Sequence, residues 1–151
     1  MTSTRSITVG ILEDDEATRG YLEVELSREP DFRIVFSCGL LKDALAALSN
    51  QPPEIVLVDI RLPDGTGLDF VRAYRKQTTG RALILSVLGD RTTVLLAFEC
   101  GASGYLLKDT RRGELVQAVL DLCAGRTALA PGALDVLTGR RVDAELTARE
   151  A

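Results

Sequence analysis

Short, almost wholly apolar runs alternate with longer segments of helical period along most of the chain. "ITVGIL" (7 to 12), "FRIVFS" (32 to 37), "IVLVD" (55 to 59), "ALILSV" (82 to 87) and "GYLLK" (104 to 108) read as five strands. Between and after them, residues 16–28, 42–50, 67–77, 91–100 and 112–123 place apolar side chains three and four apart, which predicts five amphipathic helices. Strict alternation of this kind predicts a parallel sheet with helices on both faces and right-handed crossovers. The first, third and fourth runs are the most uniformly apolar, as expected of strands covered on both faces. "FRIVFS" is interrupted by Arg33 and suits an edge. Beyond the fifth helix, Gly125 is a helix stop, and Pro131 is placed to open a short helix near 131–138 that Gly139 ends. The pattern therefore divides the chain into a main domain over 1–124, a linker over 125–145 and a new beginning at 146–151.

In an α/β architecture of this type, ligands bind where the carboxyl ends of the strands meet their loops, so the residue after each apolar run carries the chemistry. The first run ends in Glu13, Asp14 and Asp15, followed by Glu16. One carboxylate is welcome at a helix N-terminus, but several in a row repel one another unless a cation resides among them. A hard divalent ion with oxygen ligands, Mg²⁺ above all, suits such a group. The third run ends at Asp59. On its own Asp59 merely terminates a strand; beside the first strand it joins the acids as a metal-adjacent nucleophile of the aspartyl-phosphate kind. "RLPDGTG" then turns the chain sharply, and the Arg61 backbone carbonyl is a further candidate ligand. The fourth and fifth runs deliver Ser86 and Lys108, a hydroxyl and a cation suited to the charge that builds on a transferring phosphoryl group.

Composition narrows this picture. The chain of 151 residues has no histidine, so carboxylates, hydroxyls and lysine must do the chemistry. A formal charge of −4 argues against nucleic-acid binding by this stretch itself. Cys38, Cys100 and Cys123 are odd in number and lack metal-type spacing, and no secretory or membrane-spanning run is visible, so the cytoplasm is the expected compartment.

The ordered set of acid pair, "VDIRLPDGTG", "LSVLGD" and "GASGYLLKD" resembles the response-regulator receiver domain of two-component signalling, over about residues 5 to 125. The resemblance implies a flavodoxin-like (βα)5 sandwich with a five-stranded parallel sheet of order 2-1-3-4-5. It implies that Asp59 accepts a phosphoryl group from a partner histidine kinase, with Mg²⁺, or Mn²⁺ in its place, held by the acid pair, Asp59 and the Arg61 carbonyl. Ser86 and Lys108 would contact the phosphoryl group, and Tyr105 matches the family's switch aromatic. Such a domain is no enzyme toward an outside substrate; it catalyses its own phosphorylation and dephosphorylation. In the family an arginine often stands five residues after the second acid, and Arg19 stands five after Asp14, which selects Glu13 and Asp14, with Asp15 as neighbour or substitute.

Asp109 follows Lys108 where many members have proline, and the "LLKD" form resembles the NarL/FixJ subfamily. Its members usually carry a LuxR-type helix-turn-helix domain, and "ELTARE" (145 to 150) resembles the opening of one. The chain thus reads as a piece cut at the start of a DNA-binding domain, expected to dimerise on phosphorylation and to reach DNA only through the missing part. Val87, after Ser86, is bulkier than the alanine common there and predicts slower loss of phosphate. Other readings compete. A receiver working by protein contact without phosphorylation keeps the fold but leaves the set Asp59, Ser86 and Lys108 idle. A flavin carrier needs a phosphate cradle where residues 13–16 are acidic, and an aspartyl phosphatase wants a second acid where Arg61 stands.

Overall fold

The computed structural model describes residues 6–109 and 112–129. The predicted strands and helices form, most with ends shifted by a residue or two: β1 (Ile7–Leu12), α1 (Glu16–Ser27), β2 (Phe32–Cys38), α2 (Leu41–Leu48) and β3 (Ile55–Val58). A small hairpin of β4 (Arg61–Leu62) and β5 (Gly65–Thr66) follows, then α3 (Gly67–Gln77), β6 (Arg81–Ser86), α4 (Arg91–Cys100), β7 (Gly104–Leu107) and α5 (Arg112–Cys123). The main sheet is parallel in the order β2-β1-β3-β6-β7, which is the expected 2-1-3-4-5 once the hairpin is set aside.

Two features differ from expectation. A sixth strand, β8 (Ala128–Leu129), pairs in parallel with Gly104 and Tyr105 at the sheet edge, inside the stretch the pattern gives to a linker. Two residues are too few to show an alternation, so periodicity could not find it. The hairpin inside "RLPDGTG" is equally short and was read only as a turn. The short helix near 131–138 and the segment 146–151 lie outside the described residues.

All four residues of β3 are buried, as are Ala82 to Ser86 of β6, because helices cover both faces. From the helices, Leu22 and Leu26 of α1, Phe70, Val71 and Tyr74 of α3, Val94 and Ala97 of α4, and Val119 and Leu122 of α5 complete the core. Tyr74 keeps its hydroxyl satisfied inside that core by donating to the Pro53 carbonyl at 2.5 Å, and burial pushes its pKa up to about 12. The helices start where local chemistry supplies caps. Asp15 accepts from the Thr18 amide and hydroxyl before α1, Thr66 from the Leu68 amide before α3, and Asp90 from the Thr93 amide before α4. Chain direction diverges between β1 and β3, since β1 leads outward to β2 while β3 leads to β6 and β7. A crevice opens at the carboxyl ends of two strands whose connections leave in opposite directions.

Candidate phosphoryl and cation site

The sheet's hydrogen-bond ladder runs one step beyond the strands and fixes the rim. The Glu13 amide donates to the Cys38 carbonyl, the Asp59 amide to the Leu12 carbonyl and the Lys108 amide to the Ser86 carbonyl, each at 2.9 Å. Glu13, Asp59 and Lys108 are therefore held in register by their neighbours, whatever their side chains do. One candidate carboxylate oxygen from each of Glu13, Asp14 and Asp59 lies within 4.8 Å of the other two. Lys108 Nζ stands 2.8 Å from Glu13 Oε1 and 3.0 Å from Asp59 Oδ2.

Burial gives these charges their force. Glu13 is 1% exposed and Asp59 8%, whereas Asp14 faces solvent. Desolvation pushes the Glu13 carboxyl up to about 7, although the Lys108 ammonium and the Asp15 amide, which donates to Glu13 Oε2 at 3.1 Å, pull the other way. Burial acts to lower the Lys108 pKa, but the two carboxylates outweigh it and hold the ammonium above its ordinary value. Three carboxylates facing one ammonium leave an excess of negative charge. The buried Glu13 Oε1 makes no hydrogen bond of good geometry besides its ion pair with Lys108. A buried oxygen with only this ion pair, within a compact, all-oxygen donor group, fits a hard divalent cation.

Backbone fit around Asp59 is tight. A Cβ on Gly67 would lie 2.0 Å from the Asp59 carbonyl oxygen, and the Gly67 amide donates to the Ile60 carbonyl at 2.7 Å, so only glycine lets α3 begin this close. Across the crevice, the Arg19 guanidinium donates to the Glu13 carbonyl at 2.8 Å and steadies the acid pair from α1. Asp15, adjacent to that pair, turns its carboxylate to Thr18 as the α1 cap and is outside the close group of Glu13, Asp14 and Asp59.

Ser86 is 2% exposed, and its hydroxyl accepts from the Leu88 amide at 3.0 Å. Tyr105 is wholly buried, with its hydroxyl donating to the Leu88 carbonyl, and burial raises its pKa. With Leu88 held at both its amide and its carbonyl, the intervening Val87 turns outward and is 70% exposed. It lines, with Leu107, Lys108 and Asp109, a cleft of about 200 Å³ that opens beside the Lys108 side chain. The structure thus brings Glu13, Asp14, Asp59 and Lys108 into direct proximity. It sets Ser86 at the end of β6 with Tyr105 within the adjoining β7, and places Arg61 in the hairpin that follows Asp59. Asp64, at the hairpin tip, makes a long-range contact that the sequence does not reveal: its carboxylate accepts from the Leu41 and Lys42 amides at 2.7 and 3.0 Å. No local pattern announces a bond across 22 and 23 residues.

A family model described as "Response regulator receiver domain" matches residues 9–120. Among curated proteins, the chain is 34% identical over 124 residues to the DNA-binding transcriptional activator DevR/DosR of Mycobacterium tuberculosis, covering 82% of this chain and 57% of that protein. It is 34% identical over 148 residues to the probable transcriptional regulatory protein SgaR of Hyphomicrobium methylovorum, covering 95% and 68%. The chain therefore spans little more than half to two thirds of these relatives. A LuxR-family two-component response regulator from Aurantimonas sp. superposes with a TM-score of 0.84 at 29% identity, covering 91% of this chain and 99% of that one. The receiver domain of the putative response regulator NarL from Mycobacterium tuberculosis gives 0.77 at 30% identity, over 81% and 99%.

Proposed function

The chain belongs to the response regulator receiver family, and from that premise we propose that it is a phosphoacceptor switch in which Asp59 takes a phosphoryl group from a sensor histidine kinase. The observation that carries this reading is the position of Asp59. It ends a central strand at the switch point, 3.0 Å from Lys108 and within the compact oxygen group formed with Glu13 and Asp14.

An Asp59 carboxylate oxygen attacks phosphorus, a P–O bond forms, and the P–N bond to the donor imidazole breaks, with the nitrogen keeping the electron pair and taking up a proton. Glu13, Asp14, Asp59 and the Arg61 carbonyl would hold Mg²⁺, which when bound supplies positive charge that screens the phosphoryl oxygens from the acids. Lys108 already bridges Asp59 and Glu13 and needs only to exchange one carboxylate for a phosphoryl oxygen. Ser86 supplies its hydroxyl from the end of β6. The new charge of nearly −2 then biases the packing of Ser86, Tyr105 and α4 between two states, and the output is altered dimerisation. In a longer protein of the kind of the DNA-binding transcriptional activator DevR/DosR, of which the match covers 57%, DNA contact would fall outside this acidic domain. Signalling of this kind takes place in the cytoplasm. Among the described residues no helix is long and apolar enough to cross a membrane.

Incubation with Mg²⁺ and the small phosphodonor acetyl phosphate tests the reading through intact mass. One added phosphoryl group is expected, and chelation by EDTA is expected to prevent it. No adduct, together with no trapping of the phosphate mimic beryllofluoride, would favour a receiver that works by protein contact alone.

Val87 gives a second, smaller expectation. Its exposed side chain lines the cleft beside Lys108, where it would stand in the way of a water approaching a phosphoryl group on Asp59. Val87→Ala should speed loss of the phosphoryl group by roughly threefold, equivalent to about 0.6 kcal/mol in the barrier. The decay of phosphorylated protein after removal of the donor measures it, and an unchanged decay removes Val87 from the account.

A further inference from the structure

Asp64 lies at the tip of the hairpin that follows the nucleophile, outside the group of candidate ligands. The residue before α2, Leu40, offers no side-chain cap. Asp64 does that work from across the chain: Oδ1 accepts from the Leu41 amide at 2.7 Å and Oδ2 from the Lys42 amide at 3.0 Å. These two bonds hold its carboxyl below the ordinary aspartate range.

The connection reaches both halves of the cation site. On one side, the hairpin pairs Arg61 with Thr66 and Leu62 with Gly65, and the Gly67 amide closes its base on the Ile60 carbonyl at 2.7 Å. Arg61 is thereby caught between an anchor at the base, beside Asp59, and an anchor at the tip. On the other side, α2 begins directly after Gly39 and Leu40, and that loop lies against the acid pair. A Cβ on Gly39 would be 3.1 Å from Asp14 Cα and 2.9 Å from the Arg19 guanidinium that binds the Glu13 carbonyl. Gly65 packs as closely on this junction, since a Cβ there would meet Leu41 Cδ2 at 2.6 Å.

We propose that Asp64 is a positioning residue of the cation site: it clamps the hairpin carrying Arg61 to the start of α2, and so fixes the Arg61 carbonyl relative to the acid pair, which the sheet holds in place by itself. This rests on the reading that the acid group holds Mg²⁺. Removing the clamp leaves Glu13, Asp14 and Asp59 on the sheet's register and frees the hairpin that carries Arg61, and outer partners of metal ligands commonly matter by tenfold or more in affinity.

The test is cation affinity, measured with Mn²⁺ by electron paramagnetic resonance and with Mg²⁺ by competition, on the wild-type chain, Asp64→Ala, Asp64→Asn and Ala46→Gly. Ala46 is exposed on α2, so glycine there weakens the helix without touching the clamp. Asp64→Ala is expected to weaken binding about tenfold, Asp64→Asn, which keeps one acceptor oxygen, to weaken it less, and Ala46→Gly to lower the thermal midpoint with affinity unchanged. Equal affinity in wild type and Asp64→Ala would overturn the proposal and leave Asp64 as a helix cap only. Equal loss in Asp64→Ala and Ala46→Gly would overturn it too, by tracing the effect to α2 stability. A wild-type chain that binds neither cation would instead overturn the underlying reading of the acid group, and this proposal with it.

Discussion

Asp59→Asn is expected to abolish phosphoryl uptake from acetyl phosphate, a fall of at least roughly 10³-fold in rate, because in the proposed reaction it removes the attacking oxyanion itself. The substitution is nearly isosteric. An asparagine oxygen still accepts from Lys108, which stands 3.0 Å from Asp59 Oδ2, and the Asp59 amide bond to the Leu12 carbonyl is unaffected. Folding should survive, and without divalent cation it should improve by about 1 kcal/mol, since one of three clustered carboxylates loses its charge. Opposite signs on uptake and stability make the result hard to mimic by misfolding. Intact mass and urea denaturation, both on the same preparation, measure the pair. Persistence of the adduct in Asp59→Asn would shift the acceptor to another group, with the solvent-facing Asp14 first in line.

The sequence made most of this site readable because each rim residue follows a run whose nature is unmistakable. A run of four apolar, β-branched-rich residues between turn signals reads as an interior strand, and the residue after it comes out at the rim, as Asp59 does after β3. The same logic delivered Glu13, Ser86 and Lys108, one strand end at a time. Contacts that depend on two distant loops meeting were not readable. Asp64 resembles any turn aspartate in "LPDG", and its partners at Leu41 and Lys42 become visible only when β2 and β3 flank β1. Gly67 likewise looked like turn chemistry, while the structure gives it a steric reason, the carbonyl of Asp59. Strand β8 escaped because its pairing with Gly104 and Tyr105 comes from tertiary adjacency and not from a periodic pattern.

Lys108→Met carries the other large expectation, and its value lies in separating two jobs that one ammonium can perform. As a counter-ion, Lys108 holds Glu13 and Asp59 together at 2.8 and 3.0 Å. Its loss should cost about 2 kcal/mol of stability in the absence of divalent cation, less than the 3–5 kcal/mol typical when one partner of a fully buried pair is removed, because its side chain is 21% exposed. Millimolar Mg²⁺ should restore part of that, since a cation among the acids answers the same repulsion. As a contact to the transferring phosphoryl group, the ammonium would stabilise charge that grows on the way to the transition state, and removal should then slow uptake by roughly 10²-fold even with Mg²⁺ saturating and the fold intact. Arginine at this position should not restore the rate, because its planar fork cannot occupy the point between two carboxylates that a compact ammonium fills. The comparison is made by timing adduct formation at saturating Mg²⁺ beside denaturation curves with and without the cation. A Lys108→Met protein that is destabilised yet phosphorylated at the wild-type rate would reduce Lys108 to a counter-ion, and the chemistry would then rest on Asp59 and the cation alone.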